Sequence, residues 1–376
     1  MVLLVNNLGI GGAERHVVEL ANGLCEGFDV VVVYVKRVEH LLARIRLDRM
    51  KHVACLDAGD GFDIAAIRRL ANILNDAKAD VILCANEHAL AYAQTARIWC
   101  RRRLRVVEIY HSTILQTWKE RLKFLALQPL LWGSDALVFV CQAQRDHWRR
   151  RGVWAPHQAV IYNGVDAARF DPAPYLAGQA DLRRRYGFGP DDYVIGLCAA
   201  MRPEKAHADL LTAMAQAKSE GHPWKALLIG DGPMRAQIEA EISQLGLTQD
   251  VAISGFLDDV RPEIAICDVM ALVSVTEAFS VAALESMAMG KPMILSDVGG
   301  AREQVTDGHN GWIFPASNVA ALAAILVAAR DRRQIESRSR ESRFVVEQRF
   351  SLEAMLDAYR LLIDAKPHKS GGSSTG

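Results

Sequence analysis

The sequence predicts an α/β protein of two doubly wound domains, each a parallel sheet covered by helices on both faces. Short β-rich runs alternate with helix-length amphipathic segments along the whole chain, the pattern of parallel strands joined by crossover helices. The chain has 376 residues, 51% of them hydrophobic, which is enough for two full cores. Residues 163–179, with Asn-Gly, Asp-Pro and Ala-Pro turn signals, separate two sets of strands.

The strand-like runs fall on both sides of this loop. The first set covers residues 3–6, 30–35, 53–56, 81–84, 106–110, 136–140 and 159–162. The second set covers residues 193–198, 226–229, 251–254, 269–275 and 292–296, followed by a strand at Trp312. We therefore expect domains over residues 1–165 and 166–351, a C-terminal helix over 352–366 that could pack back on the first domain, and a flexible tail over 367–376.

Charge and cysteine content narrow the class of protein. The formal net charge is zero, but residues 1–165 carry 22 positive and 16 negative side chains (22 − 16 = +6), and the rest carry 22 and 28 (22 − 28 = −6). The 7 cysteines are scattered without a Cys-x-x-Cys pair, as is typical of reduced core residues in a cytosolic protein. No apolar run approaches the length of a membrane span and no leader pattern opens the chain, so we expect a cytoplasmic protein that is not integral to a membrane.

Two carboxylates are predicted on either side of a helix N-terminus. Glu277 falls in a short loop after an apolar strand, and Glu285 falls on the helix that follows. Ser280 is a good N-cap, and Gly290 predicts the end of the helix after about three turns. The free amides of the first turn form an anion site. Two acceptor groups flanking an anion site suit a sugar nucleotide, with hydroxyls at either end and a diphosphate between them.

Other strand ends carry groups that suit the same ligand. Gly11 and Gly12 follow the first strand, before a helix expected to begin near Arg15, and a glycine pair there lets backbone amides approach a phosphate. An ordinary tight turn fits this pattern equally well. Arg202 and Lys205 follow the strand 193–198 and could neutralise a departing diphosphate without a metal. Alone, this segment would fit a solvated charged loop better.

A histidine at a strand end and several missing motifs complete the pattern. His111 follows the strand 106–110 and could hydrogen-bond a sugar hydroxyl or contact an acceptor, although an incidental core histidine fits its position equally well. The chain has no Asp-x-Asp motif at a strand end of the first domain, no His-x-x-x-His and no Gly-x-x-x-x-Gly-Lys-Ser/Thr loop. Metal-assisted transfer and P-loop hydrolysis are therefore disfavoured, and no metal site is expected.

Taken together, these segments resemble retaining nucleotide-sugar glycosyltransferases of the GT-B fold. The motifs that carry the resemblance are, in chain order, Gly11-Gly12-Ala-Glu14, His111, Ile161-Tyr-Asn163-Gly164-Val-Asp166, Arg202-Pro-Glu-Lys205, Gly230-Asp-Gly232-Pro233, Glu277 to Glu285, and Gly299-Gly300-Ala-Arg-Glu303. They run through nearly the whole chain. The resemblance implies two facing Rossmann-like domains with the active site in the cleft between them, and a metal-independent transfer that retains the anomeric configuration.

The resemblance also implies roles for individual positions. Glu277 would bind hydroxyls of the donor sugar, and Glu285 would bind those of the ribose. Lys205, with Arg202, would stabilise the leaving diphosphate. Gly12 would approach the diphosphate from the first domain, and His111 would contact the sugar near the acceptor. Phe256 would line the base pocket. The distal phosphate would be held by the backbone amides of Phe279, Ser280, Val281 and Ala282.

Two positions depart from the family pattern. The family's usual arginine stands five residues before the lysine, where this chain has Ala200. Arg202 lies two residues later, in a variant that the family also shows. The position after Phe279 is often glycine in the family and is Ser280 here, which still caps the helix and could donate a hydrogen bond to phosphate.

The substrates and partners are expected from the resemblance and from composition. A UDP-sugar is the first expectation for the donor and a GDP- or ADP-sugar the next, with no cofactor; the acceptor would be a glycan or lipid-linked glycan in cell-surface glycan, polysaccharide or glycolipid biosynthesis. Segments 101–105 and 118–132 mix cations with apolar residues, which suits weak peripheral contact with an anionic membrane, although an ordinary amphipathic helix is the more common source of such a composition. Nucleic acid is not expected, because the positive excess is small.

Three other functions share parts of this pattern. A sugar-nucleotide epimerase can have the same fold but would release no new glycoside. A phosphorylase would need a pyridoxal-phosphate lysine, which no segment indicates. A non-catalytic sugar-nucleotide-binding subunit would bind the nucleotide without turnover on any acceptor, although Lys205, Glu277 and Glu285 together argue against it.

Overall fold

Two parallel sheets form the framework of the protein. The structure, a computed structural model, describes residues 1–59, 61–111, 125 and 128–365. The first sheet contains Val2–Val5 (β1), Val31–Tyr34 (β2), His52–Cys55 (β3), Val81–Ala85 (β4), Arg105–Tyr110 (β5), Ala136–Phe139 (β6) and His157–Val160 (β7). The second contains Val194–Cys198 (β8), Lys225–Ile229 (β9), Val251–Gly255 (β10), Val269–Leu272 (β11), Met293–Ser296 (β12) and Gly311–Phe314 (β13).

The strand order is that of two doubly wound sheets. It is β3-β2-β1-β4-β5-β6-β7 in the first sheet and β10-β9-β8-β11-β12-β13 in the second. All strand pairs are parallel. In each sheet the order reverses beside the first strand, and ligands of such sheets bind outside the carboxyl ends of the strands at that point. The predicted fold class is confirmed.

Helices cover both faces of the sheets. In the first domain they are Gly12–Leu24 (α1), Ile64–Asp76 (α2), Glu87–Ala96 (α3) and Gln142–Arg149 (α4). In the second they are Gln179–Arg185 (α5), His207–Ser219 (α6), Arg235–Gln244 (α7), Arg261–Ile266 (α8), Val281–Ala288 (α9), Ala301–Gln304 (α10), Val319–Ala328 (α11) and Arg332–Arg349 (α12). The chain continues into Leu352–Asp364 (α13).

Two helices differ in extent from those expected. Helix α1 begins at Gly12 and not near Arg15, because Gly11 acts as its N-cap in an extended conformation (φ −155°) without any side-chain cap that the sequence could reveal. Helix α9 ends at Ala288, where Met289 is the C-cap and Gly290 follows as expected, but its 8 residues make about two turns and not three. Met289 still donates to the carbonyl of Glu285, and Gly290 adopts a left-handed φ of +70°. The first shift places the Gly12 amide in the first turn of α1.

Alternating strand residues build a core on each face of each sheet. Val2 and Leu4 of β1 pack on one face, with α2 and α3, whereas Leu3 and Val5 pack on the other, with α1. The second sheet has the same arrangement, so all four faces are covered. Strands buried on both faces read as continuous apolar runs, which is why the sequence revealed them so clearly.

The chain passes between the domains twice, at adjacent points. Val165 donates to the carbonyl of Phe350 (2.9 Å) and accepts from the amide of Leu352 (3.0 Å). Gly164 allows this approach, because a β-carbon there would lie 2.6 Å from the carbonyl oxygen of Ser351. Helix α13 then packs on α1 of the first domain, where Leu356 lies against Gly23. It ends where the Arg105 guanidinium donates to the carbonyls of residues 362 and 363.

Two further properties follow from the described residues. None of their helices is long and apolar enough to cross a membrane. All seven cysteines are free, and three of them, Cys84, Cys141 and Cys267, are buried.

Candidate active site

A lysine–carboxylate pair lies at the carboxyl ends of the strands of the second domain. Lys205 ends a single helical turn, Pro203–Lys205, that follows β8, and its ammonium group forms an ion pair with Glu277 in the loop after β11. The Ser274 hydroxyl donates to the same Glu277 oxygen, at 3.1 Å. The backbone fixes the two loops together, since the amide of Val275 donates to the carbonyl of Glu204 at 2.9 Å. The pair is therefore preformed within one domain.

Helix α9 begins directly after this loop. Ser280 is its N-cap, and the Ser280 hydroxyl accepts from the amide of Ala283 at 3.3 Å. The amides of Val281 and Ala282 belong to the first turn and have no partner within the helix, so they are donors for an anion. Phe279 carries its buried ring into the core, 5.2 Å from the ring of Tyr162. This side chain therefore anchors the start of the helix.

Glycine is required where the Glu277 loop packs on the next strand-to-helix turn. Gly299 has a φ of +53°, and a β-carbon on it would lie 2.1 Å from the carbonyl oxygen of Glu277. The amide of Gly300 donates to the carbonyl of Ala278 at 2.8 Å. This close backbone contact sets the position of Glu277 at the cleft.

Glu285 faces the first domain. Its carboxylate lies 3.8 Å from the guanidinium group of Arg15 on α1. Burial raises the pKa of Glu285, and the positive charge of Arg15 opposes that rise. A cavity opens at this pair, and the side chains that line it include three arginines and three acids: Arg15, Arg44, Arg169, Glu19, Asp166 and Glu285.

The start of α1 faces the same cleft. Gly12 is exposed, and a β-carbon on it would meet no atom within 4 Å. Burial raises the pKa of Glu14, and the positive charge of Arg202 in the second domain opposes the rise. Arg202 is exposed and lies 4.0 Å from Glu204. Lys205, unlike Arg202, is bound to Glu277.

His111 lies half-buried at the end of β5, beside the buried ring of His16. Its ring is 5.2 Å from that of His16 on α1, in an edge-on arrangement. The His16 Nε2 is 3.0 Å from the hydroxyl of Tyr359, which belongs to α13. Burial lowers the pKa of His111 to about 4 and that of His16 well below its ordinary value, so both are neutral at pH 7. Among the described residues, His111 Nε2 has no hydrogen-bond partner.

Phe256 lies apart from these groups, directly after β10. Its ring is exposed. Gly255, with a φ of +74°, forms an isolated bridge with Gly230 at the end of β9, which places Phe256 beside the glycine turn of residues 230–232.

The structure thus brings the predicted residues other than Phe256 to one cleft, and most of them form three groups. Lys205 and Glu277 form a pair, the start of α9 with Glu285 forms the wall beside it, and Gly12 and His111 lie on the first domain. Such an arrangement supplies donors to an anion and acceptors to hydroxyl groups. No group of three or more His, Cys, Asp or Glu side chains that could hold a metal ion occurs in the described part of the chain.

Three residues of the cleft were not predicted from the sequence: Arg15, His16 and Tyr359. Arg15 had a local signal, because a cation in the first turn of a helix opposes the helix dipole and requires a compensating partner. His16 and Tyr359 are 343 positions apart in the chain, so no spacing rule could have joined them.

The two facing sheets and the cleft between their carboxyl ends define a protein of the GT-B architecture. Comparison with known proteins agrees with this class. Residues 10–169 match the model for Glycosyltransferase Family 4, and residues 178–342 match the model for Glycosyl transferases group 1. The chain belongs to the GT-B glycosyltransferases.

Individual relatives support the same assignment. The chain is 25% identical over 317 residues to the putative glycosyltransferase EpsD of Bacillus subtilis, covering 81% of this chain and 82% of that protein. It is 28% identical over 214 residues to a GDP-mannose-dependent alpha-(1-6)-phosphatidylinositol monomannoside mannosyltransferase of Mycobacterium tuberculosis, covering 53% and 54%. The crystal structure of Anabaena HepE with UDP-glucose superposes with a TM-score of 0.83 at 22% identity, over 96% of this chain and 98% of that one.

Proposed function

We propose that this glycosyltransferase moves a sugar from a nucleotide-diphosphate sugar to an acceptor hydroxyl, with retention of the anomeric configuration and without a metal. One observation carries the proposal: the Lys205–Glu277 pair and Glu285 lie on opposite sides of the start of α9. Glu277, the free amides and Glu285 complement a sugar, a diphosphate and a ribose in the same order, and the Lys205 cation complements the charge of the diphosphate.

The proposed roles follow from where charge develops. Glu277 accepts hydrogen bonds from the donor sugar and Glu285 from the ribose. The amides of Val281 and Ala282 hold the distal phosphate, and Gly12 approaches it from the first domain. As the bond to the diphosphate breaks, negative charge grows on the phosphate oxygens. Lys205 stabilises this charge, assisted by Arg202.

Retention requires the acceptor to attack from the face that the diphosphate leaves. The leaving phosphate is then the nearest base for the acceptor proton. His111, neutral and with an unpartnered buried nitrogen, is suited to hydrogen-bond a sugar hydroxyl near the acceptor but not to supply a positive charge. Phe256 would line the pocket for the base. Each preorganised donor at such a site typically contributes about 10²- to 10³-fold in rate.

The substrates proposed are a UDP-sugar first and a GDP- or ADP-sugar next, with a glycan or lipid-linked acceptor. HepE was solved with UDP-glucose, and the mycobacterial relative is named for GDP-mannose and a phosphatidylinositol mannoside acceptor. We further propose a cytoplasmic location with peripheral contact to a membrane, a role in polysaccharide or glycolipid synthesis, and no binding of nucleic acid.

A thermal-shift panel tests the donor. UDP, GDP, ADP and their sugars are added separately to the full chain, and the nucleotide that binds the native state raises the midpoint of unfolding. We expect one base to give a clear shift, with the same midpoint in EDTA. If none of these ligands shifts the midpoint, the proposal of a nucleotide-sugar site is wrong.

The reaction is tested with the donor selected by that panel. Glycoside formation is followed with an acceptor panel, and NMR of the product reports its anomeric configuration. A retained configuration supports the proposal, and an inverted one overturns the mechanism. Incubation of the donor alone distinguishes an epimerase, which would yield an epimer, and binding without turnover on any acceptor would indicate a non-catalytic subunit.

A further inference from the structure

The positive charge of the first domain is concentrated at one end. Three segments, residues 97–103, 128–135 and 149–156, contain seven arginines and a single acid, Asp135, so that their net charge is 7 − 1 = +6. This equals the whole positive excess of residues 1–165, since the remainder of that half has 22 − 7 = 15 positive and 16 − 1 = 15 negative side chains. We call these three segments the basic end.

Topology brings the three segments together. They precede β5, β6 and β7, which are neighbours in one parallel sheet, so all three lie at the edge where those strands begin. Arg97 donates to the carbonyl of Gly133 at 3.3 Å, and the indole of Trp132 donates to the carbonyl of Gly152 at 2.9 Å. The basic end is therefore one continuous surface. It lies opposite the cleft, because His111 follows the other end of β5.

The same surface exposes large apolar side chains. Trp99, Trp132 and Trp154 are 44%, 49% and 56% exposed, and Ile98 is 77% exposed. The other tryptophans of the described residues, at positions 148, 224 and 312, are buried. Every exposed tryptophan in the described part of the chain thus lies on the basic end. Leaving three indoles in water forgoes the stabilisation that their burial would supply.

The arginines on this surface are largely free to meet an external charge. The guanidinium groups of Arg101, Arg103 and Arg150 make no hydrogen bond or ion pair with any described residue, and all three are exposed. Beside them, Lys78, Arg101 and Arg102 line an open groove between the end of α2 and residues 100–102. Indoles mixed with cations match the headgroup layer of an anionic bilayer, where the indole sits at the interface and arginine meets phosphate.

We propose that the basic end is the surface through which the protein binds an anionic phospholipid membrane. This assigns the membrane contact proposed above to the edge opposite the cleft. The test measures binding to vesicles and not turnover. Its result therefore remains meaningful even if the protein proves not to be a transferase. Arg105, which composition had grouped with this surface, is excluded from it because its guanidinium binds the carbonyls at the end of α13.

The test is sedimentation of the full chain with phosphatidylcholine vesicles that contain about one-third phosphatidylglycerol, at low salt. We expect binding that is lost at high salt and with pure phosphatidylcholine. The triple variant Arg101→Glu, Arg103→Glu, Arg150→Glu should weaken binding by about 100-fold or more, since each cation near the surface contributes about fivefold or more. The matched control is Arg185→Glu, Arg333→Glu, Arg340→Glu on the second domain, which makes the same change of net charge and should bind within about twofold of the wild type.

The tryptophans supply a second readout. Insertion of the exposed indoles should shift intrinsic fluorescence to the blue and allow quenching by brominated lipid. Trp99→Ala, Trp154→Ala should weaken both signals and leave the contribution of Trp132, whereas Phe344→Ala, at an exposed position on α12, should keep them unchanged. The proposal is overturned if the wild type fails to bind, if the control triple variant loses binding equally, or if duplex DNA binds as tightly as the vesicles while the indoles stay unquenched.

Discussion

The two sides of the cleft hold their polar groups in different ways. On the second domain, Lys205 and Glu277 are oppositely charged, bound to each other and held by a backbone contact between their loops. On the first domain, His16 is buried and His111 is half-buried, and desolvation keeps both rings neutral. Near Lys205 the second domain therefore presents fixed charge, whereas around His111 the first domain presents neutral rings that can hydrogen-bond.

This difference matches the proposed reaction. Charge on the second domain lies where a diphosphate would leave, and uncharged groups on the first domain lie where sugar hydroxyls would bind. A cation close to the acceptor would compete for the departing anion, so a neutral ring at His111 favours separation of the two tasks. The following predictions test this division.

The largest effect is expected at Lys205. Lys205→Ala should lower kcat by about 10²- to 10³-fold, because a preorganised cation at the leaving group is lost. Lys218→Ala is a matched control, since Lys218 pairs with Asp250 away from the cleft and should leave kcat within about twofold. Steady-state kinetics with circular dichroism as a check of folding measures both. Near-normal turnover of folded Lys205→Ala would refute the assignment.

A smaller effect is expected on nucleotide affinity. Glu285→Ala should weaken binding of the free nucleotide by about tenfold or more, because hydrogen bonds between a carboxylate and the ribose are lost. Glu277→Ala should weaken it less, since its proposed partners belong to the sugar. Calorimetric titration with the nucleotide found in the thermal-shift panel compares them. The reverse order would mean that the roles of the two carboxylates are exchanged or wrong.

Substitutions around His111 and His16 should lower turnover less than Lys205→Ala does. Tyr359→Phe removes only the hydroxyl that faces His16 Nε2 and should lower kcat by about 3- to 10-fold with little change in the KM of the donor. Tyr34→Phe, which removes a hydroxyl bonded to Glu39 in the same domain, is the control. A fall in thermal stability with unchanged kcat would show that Tyr359 has only a structural role.

The smallest expected effect is on the pH dependence of stability. The pKa of His111 is about 4 when folded, against 6.5 for the free group, so between these values the unfolded chain binds a proton that the folded chain does not. Stability should therefore be greatest above pH 6.5 and fall as the pH is lowered towards 4. In His111→Gln this dependence of the unfolding midpoint should be shallower, whereas the same substitution at the exposed His309 should not change it. Equal slopes in all three proteins would contradict a desolvated, neutral His111.

The fold could be predicted from the sequence because its signals are local. Each buried parallel strand is a run of apolar residues between turn signals, and β1 to β13 all lie at the predicted positions, within a few residues. The loop with Glu277 and the helix with Glu285 were also recognisable, since Ser280 is a strong N-cap. The start of α1 was misjudged because its cap, Gly11, acts through backbone conformation alone.

Contacts across the cleft could not be predicted in the same way. Arg15 meets Glu285, and His16 meets Tyr359, only because the domains face each other and α13 returns to the first of them. Such pairs depend on the relative placement of distant segments, which no periodicity encodes. Likewise, the basic end is dispersed over three segments of the chain and becomes one surface only through the order of β5, β6 and β7.

The double crossing of the chain between the domains has a mechanical consequence. Hydrogen bonds join Val165 to Phe350 and Leu352, so any rotation of one domain against the other would have to bend both crossings at this point. Gly164, Val165 and Leu352 are also walls of the cavity that contains Arg15 and Glu285. A molecule bound in that cavity would therefore contact the connection between the two domains directly. Binding in the cavity and movement of one domain against the other would then be coupled through these residues alone.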